Sequence, residues 1–142
     1  MILRSTIVAE ARTWLGVPWK HQGRVRTGVD CGGLVLLVTR AVGQPMEDVP
    51  FNYRRRPNGH DFTRYFFDTF DRVSPESVMD GDVVLMRDDV LPCHCGFATT
   101  FQGRRGIIHA SAKHRRVVEH SWGEDVDRLL THTFRFRGVI DG

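Results

Sequence analysis

The chain has 142 residues, 41% of them hydrophobic and 26% charged, which suits one core and is ordinary for a globular protein. A formal charge of +3 permits an anionic partner such as cell wall, nucleic acid or lipid headgroups and selects none of them. No apolar run approaches the ~20 residues needed to span a bilayer, so no membrane insertion is expected, and three cysteines are too few, and odd in number, for a disulfide framework.

The opening MILRSTIVAEAR has no basic leader, long apolar stretch or small-residue cleavage site, so it is not expected to act as a secretory signal. The spacing of Ile7, Val8, Ala11 and Leu15 predicts a helix over 4–15, capped by Ser5 or Thr6 and ended by Gly16 and Pro18. Residues 16–30 read as a loop. Asp30 stands where an N-cap belongs, and CGGLVLLVTRAVG follows as a second helix with Gly43 at its C′ position. Leu34 to Val38 surround that helix with apolar groups, which predicts burial on most sides.

Residues 44–59 hold three prolines and read as loop, and Phe62, Tyr65, Phe66 and Thr69 predict a third helix over 60–72. The period then changes to two. MDGDVVLMRD, CHCGFATTF, GIIHAS, RRVVEHSW and TFRFRGVI read as antiparallel strands. Helices followed by strands predict an α+β fold with the helices on one side of the sheet. The change near residue 73 is one of structural type, so 1–142 is expected to be a single domain.

Chemistry concentrates at VDCGG. A helix N-terminus presents unpaired N–H groups and partial positive charge, which favour a thiolate at Cys31. Gly32 and Gly33 cost a helix about 1 kcal/mol each relative to Ala and leave the backbone bare for a substrate. The charge of Asp30 opposes the thiolate. The alternative is a buried structural cysteine.

A nucleophilic thiol needs a base. Of the seven histidines, His94 and His109 lie inside strand-like stretches, and His94 shares its strand face with the small residues Gly96 and Ala98. That again leaves room for something to bind. His21 is of interest because its loop leads to the thiol, whereas His60, His114, His120 and His132 sit in polar or loop contexts. Cys93 and Cys95 could share one face for zinc, but His94 would point away and no second ligand pair exists, so no metal is expected. The runs Arg54–Arg56, Arg104–Arg105 and Arg115–Arg116 read as solvated surface without the aromatic interleaving of a nucleic-acid binder.

Together these stretches resemble the NlpC family of papain-like bacterial cysteine peptidases, which cut peptidoglycan stem peptides. DCGGL stands where that family commonly has DCSGL, DGDVVLM resembles its PGDLVFF strand, HCGFAT its HVGIY strand, and IIHAS the strand supplying a third polar residue. PWKHQ, GDVVLMR and THTFRFRG are similar to a branch encoded in tail-gene clusters of bacteriophages and gene transfer agents. The resemblance implies Cys31 as nucleophile, His94 as general base and acid, and His109 as the residue orienting His94. It implies cleavage between γ-D-glutamate and diaminopimelate or lysine, without metal or organic cofactor. It also implies tail-hub or tail-tip partners, no specific nucleic acid, and synthesis in the cytoplasm followed by action on the wall from a particle. Twelve residues before the cysteine the family usually has Tyr, and here Trp19 stands there. The indole N–H, His21 or the Cys31 backbone would then serve the oxyanion. A structural tail-tip protein that keeps the fold and cuts little is the alternative, and acyl transfer on another amide or ester is a third reading.

Overall fold

The computed structural model describes residues 1–48, 59–88 and 91–142, with side chains at all of these except 59–62, 88 and 91–93. The elements run β1 (Ile2–Leu3), α1 (Arg4–Arg12), β2 (Arg24–Val25), β3 (Gly28–Val29), α2 (Cys31–Ala41) and α3 (Gly59–Thr69). They continue with β4 (Asp71–Val73), a 3₁₀ turn (Pro75–Ser77), β5 (Val83–Asp88), β6 (Leu91–Phe101), β7 (Arg104–Ser111) and β8 (Arg116–Ser121). The chain closes with α4 (Glu124–Leu129), β9 (Leu130–Arg135) and β10 (Val139–Ile140). The fold is α+β, as expected. Its main sheet is antiparallel, with strand order β4-β9-β5-β6-β7-β8.

Alternation along the strands divides the apolar residues between two faces. Val83, Leu85, Cys95, Phe97, Ile108, Ala110 and Phe134 join a core with Ile7 and Ala11 of α1, Leu34, Val35 and Val38 of α2, and Tyr65 and Phe66 of α3. Val84, Met86, Ala98 and Ile107 form a smaller cluster with Val126 of α4. The expectation of helices on one side therefore holds for α1 to α3 but not for α4. Six residues with one buried apolar group give no helical period, so α4 left no trace in the sequence pattern.

Three boundaries differ from expectation for local reasons. The N-cap of α1 is Leu3 rather than Ser5 or Thr6. Arg4 is already helical and buried, held by Asp82 at 3.0 Å and Asp141 at 2.9 Å, and the Ser5 N–H donates to the Gly142 carbonyl at 2.8 Å. The helix stops at Arg12, three residues early, where the Thr13 hydroxyl donates to the Glu10 carbonyl at 2.7 Å. Helix α3 stops at Thr69 because residues 71–73 pair with β9.

Asp82, in the DGDVV stretch, is fully buried. It accepts from Arg4 at 3.0 Å, from Arg135 at 3.0 and 2.9 Å, and from the Met79 N–H at 2.8 Å. The carboxylate thereby ties the start of α1 to the sheet. Gly81 beside it takes a φ of +85°, a conformation that side chains with a Cβ resist. The Arg54–Arg56 run lies outside the described residues.

Candidate active site

Helix α2 is built as expected and is the rigid mount of the site. Asp30 Oδ1 accepts the Gly33 N–H at 2.8 Å, and Gly43 beyond the other end has a φ of +99°. Leu34, Val35, Leu36 and Val38 are buried. Cys31 is the first helical residue and is partly exposed. Its neighbour's charge is not left bare: Arg24 reaches Asp30 Oδ1 at 2.9 Å, and the Gln22 N–H donates to Oδ2 at 2.9 Å. One carboxylate thus caps the helix, pairs with a guanidinium and anchors the preceding loop.

The Cys31 thiol hydrogen-bonds to Cys95 and to His94. These two bonds, the Cys95 one larger, and the positive charge of His94 bring Cys31 from the ordinary 9.0 down to about 5. Burial and the Asp30 charge oppose the shift and lose. Cys95 is pushed well up by burial, so it remains a thiol able to donate. His94 and Cys95 are adjacent on β6, and both reach Cys31 from beyond the Phe97–Ile108 pair, where the β6–β7 ladder ends among the described residues.

His94 Nε2 lies 2.7 Å from His109 Nδ1, with the rings near perpendicular at 82°. His109 Nε2 in turn lies 2.8 Å from His120 Nε2, with the rings at 79°. His120 Nδ1 lies 2.9 Å from the Ser121 carbonyl oxygen. Burial, then the neighbouring His94, His120 and His114, push His109 down to about 2, so its ring stays neutral. The polar context of His120 in the sequence gives no hint of this placement. The signal that would have found it is register: Ser111 pairs with Arg116 across the turn, which places His109 opposite Val118 and His120 opposite Ile107, on the face of His109.

Gly33 has a different explanation from the one expected. A Cβ at Gly33 would collide with the Gly23 carbonyl oxygen and come within 2.9 Å of Arg24 Nη1, so the chain's own 20–25 loop occupies that space. The Gly33 N–H is also committed to Asp30. Gly32 is buried beside it. A Cβ at Gly96 would lie 2.5 Å from the Ile108 carbonyl oxygen and 3.0 Å from His109 Cβ. The room beside Gly96 is therefore taken by the β7 backbone at Ile108 and the root of the His109 side chain.

The expected loop over 16–30 contains the β2–β3 hairpin and is stapled at several points. Trp19 bridges Val29 and donates its backbone N–H to the Arg115 carbonyl at 2.9 Å, and Pro18 bridges Arg116. Trp19 packs half-buried against the core. His21 stands in the Lys20–Gly23 turn, where Gln22 takes a φ of +59° and its N–H is fastened to Asp30. His132 packs against the rings of Phe67 and Phe134, and His114 bonds Ser111 at 2.9 Å in the β7–β8 turn. The side chains of His60 and Cys93 lie outside those described. No helix among the described residues is long and apolar enough to cross a membrane.

Solved structures share this architecture. An NlpC/P60 family protein from Bacillus cereus superimposes with a TM-score of 0.70 at 17% identity over 94% of this chain, which spans 40% of the length of that protein. The NlpC/p60 domain of the peptidoglycan hydrolase SagA gives 0.65 at 19% identity, covering 94% of this chain and 98% of that one. An N-acetylmuramoyl-L-alanine amidase from Bacteroides uniformis gives 0.66 at 13% identity, covering 94% and 98%. No family model matches the sequence, and no curated protein does. The fold is that of the papain-like NlpC/P60 structures.

Proposed function

We propose that this chain is a cysteine peptidase that hydrolyses an amide of the peptidoglycan stem peptide. The observation that carries the reading is the Cys31 thiol, at the first position of a capped helix, hydrogen-bonded to a histidine that is itself held by a second. Peptidoglycan as substrate is supported by the wall hydrolases among the fold's neighbours and by the sequence resemblance.

In this reading the Cys31 thiolate attacks the amide carbonyl, forming the C–S bond and an oxyanion. The Asp30 cap consumes the Gly33 N–H, so the Cys31 backbone N–H is the donor assigned to that oxyanion, with Trp19 and His21 on the facing loop. The C–N bond then breaks as His94 delivers its proton to the leaving amine. Water, deprotonated by His94, attacks the thioester and releases the acid and the thiolate. His109 orients His94. None of these steps calls for a metal or an organic cofactor.

The bond assigned is γ-D-glutamate to diaminopimelate, and the setting is the tail tip of a phage or gene transfer agent, where the enzyme docks on tail-hub proteins and opens the wall from outside. Both finer assignments rest on the sequence resemblance. The replacement of the family Tyr by Trp19 favours one competing reading, a tail-tip protein that is catalytically weak. The test is mass spectrometry of sacculi, and of a defined tripeptide muropeptide, after incubation with wild type and Cys31→Ala. Fragments from the wild type alone are expected, and their masses distinguish endopeptidase from amidase cleavage. Equal cleavage by Cys31→Ala would sink the peptidase. Particles carrying Cys31→Ala that transfer DNA normally would favour the structural reading.

A further inference from the structure

We infer that His120 is a positioning residue: it sets the tautomers of His109 and His94 through a one-way chain of hydrogen bonds anchored on the Ser121 carbonyl. The inference deepens the reading of Cys31 and His94 above and rests on it. A carbonyl oxygen only accepts, so the proton at the 2.9 Å contact belongs to His120 Nδ1. Neutral His120 therefore presents a bare Nε2. The 2.8 Å contact to His109 Nε2 needs one proton, which His109 supplies, and this leaves His109 Nδ1 bare. The 2.7 Å contact to His94 Nε2 then requires the proton on His94. His94 is left with an unprotonated Nδ1, the atom that takes the thiol proton.

The direction of the chain is the same before and after that transfer, because His94 Nε2 donates to His109 in both states. Reversal would be costly to catalysis. If residue 120 donated instead, His109 would have to accept at Nε2 and carry its proton on Nδ1. His94 would then need a bare Nε2, and its own proton would sit on Nδ1, where the thiol proton must go. Burial above all, and then the charge that His94 takes up on β6, keep His109 from carrying two protons, so the ring cannot relieve the conflict by charging. A second-layer residue of this kind fixes the tautomer of the group it touches.

A hydrogen-bond acceptor at position 120 preserves this chain and a pure donor breaks it, a distinction that packing alone does not make. Glutamine can accept from His109, and lysine can only donate. In ¹⁵N-labelled Cys31→Ala protein, which keeps His94 from pairing with a thiolate, long-range imidazole correlation spectra should show the Nε2–H tautomer at His94 and His109 and the Nδ1–H tautomer at His120. His120→Gln should keep the first two assignments, and His120→Lys should lose them. With Cys31 intact, His120→Lys should lower kcat on the muropeptide by roughly tenfold or more at unchanged KM, and His120→Gln should recover most of it. Melting curves establish that each variant is folded. Nδ1–H at His109 in the otherwise wild-type chain, or equal kcat in the Gln and Lys variants, would overturn the inference. Should the wild type cleave no stem peptide, the proposed function fails while the tautomer assignments still decide this one.

Discussion

The same strands carry two different kinds of surface. On the side facing α1 to α3, Val83, Leu85, Phe97, Ile108 and Phe134 are fully buried in a core completed by aromatic and aliphatic helix residues. On the other side of β7 and β8, beside the small cluster of Val84, Met86, Ala98 and Ile107, run His109 and His120, each partly exposed and hydrogen-bonded. Burial of apolar area supplies stability without direction. The polar file supplies direction at little gain in stability, since hydrogen bonds exchanged with water net only about 1 kcal/mol each. The strands thus let one alternation serve two ends, with Cys31 brought from the core-side helix to meet His94 where the β6–β7 ladder stops.

The sharpest way to break that comparison is to remove the histidine that joins the two sides. His94→Ala should lower kcat by ~10²- to 10⁴-fold, the range for losing a general acid–base group. It should also move the Cys31 alkylation profile upward from its midpoint near 5, because the hydrogen bond and charge of His94 favour the thiolate. The sign follows from the direction of the shift: thiolate is lost as pH falls through about 5 in the wild type, and over a higher range in the variant. Iodoacetamide labelling rates against pH, read at Cys31 by peptide mapping, measure it.

On the core side, Phe97→Ala should cost about 3–5 kcal/mol of unfolding free energy, measured by urea denaturation. The folded fraction should keep its Cys31 alkylation midpoint, since Phe97 supplies none of the hydrogen bonds or charges that lower the thiol. Between the two surfaces lies Gly96. Gly96→Ala places a methyl 2.5 Å from the Ile108 carbonyl oxygen and 3.0 Å from His109 Cβ. Overpacking of this kind costs about 1–3 kcal/mol. It should lower stability and kcat together, and a kcat preserved in a destabilised variant would refute the packing of His109 on Gly96. The smallest effect is expected from Val126→Ala in the second cluster, about 1 kcal/mol with kcat unchanged, because that residue anchors only the short α4.

Much of the site was readable because it depends on local chemistry. Asp30 before CGG announced a capped helix, and the cap is present. His94 and His109 sat in strand-like stretches and do meet. The glycines were readable as places of close approach but not for what approaches them. Gly33 is met by the Gly23 carbonyl and Gly96 by His109, and neither contact can be inferred without knowing where distant segments lie. The charge of Asp30 does oppose the thiolate, as its position beside Cys31 implies, but it is outweighed by Cys95 and His94, and Arg24 and the Gln22 N–H share it.

What the sequence alone determined was whatever repeats at short range: two helical periods, a run of alternating strands, a cap beside a thiol, and the order of cysteine and histidines along the chain. Helical and strand periods are properties of neighbours in sequence, set by backbone geometry. Tertiary structure decided which alternate residues share a face across strands. His120 joined His109 only because the turn after Ser111 pairs that residue with Arg116, so that His109 and His120 fall on one side. A shift of one residue would have turned His120 to the opposite face, and no local signal records that choice.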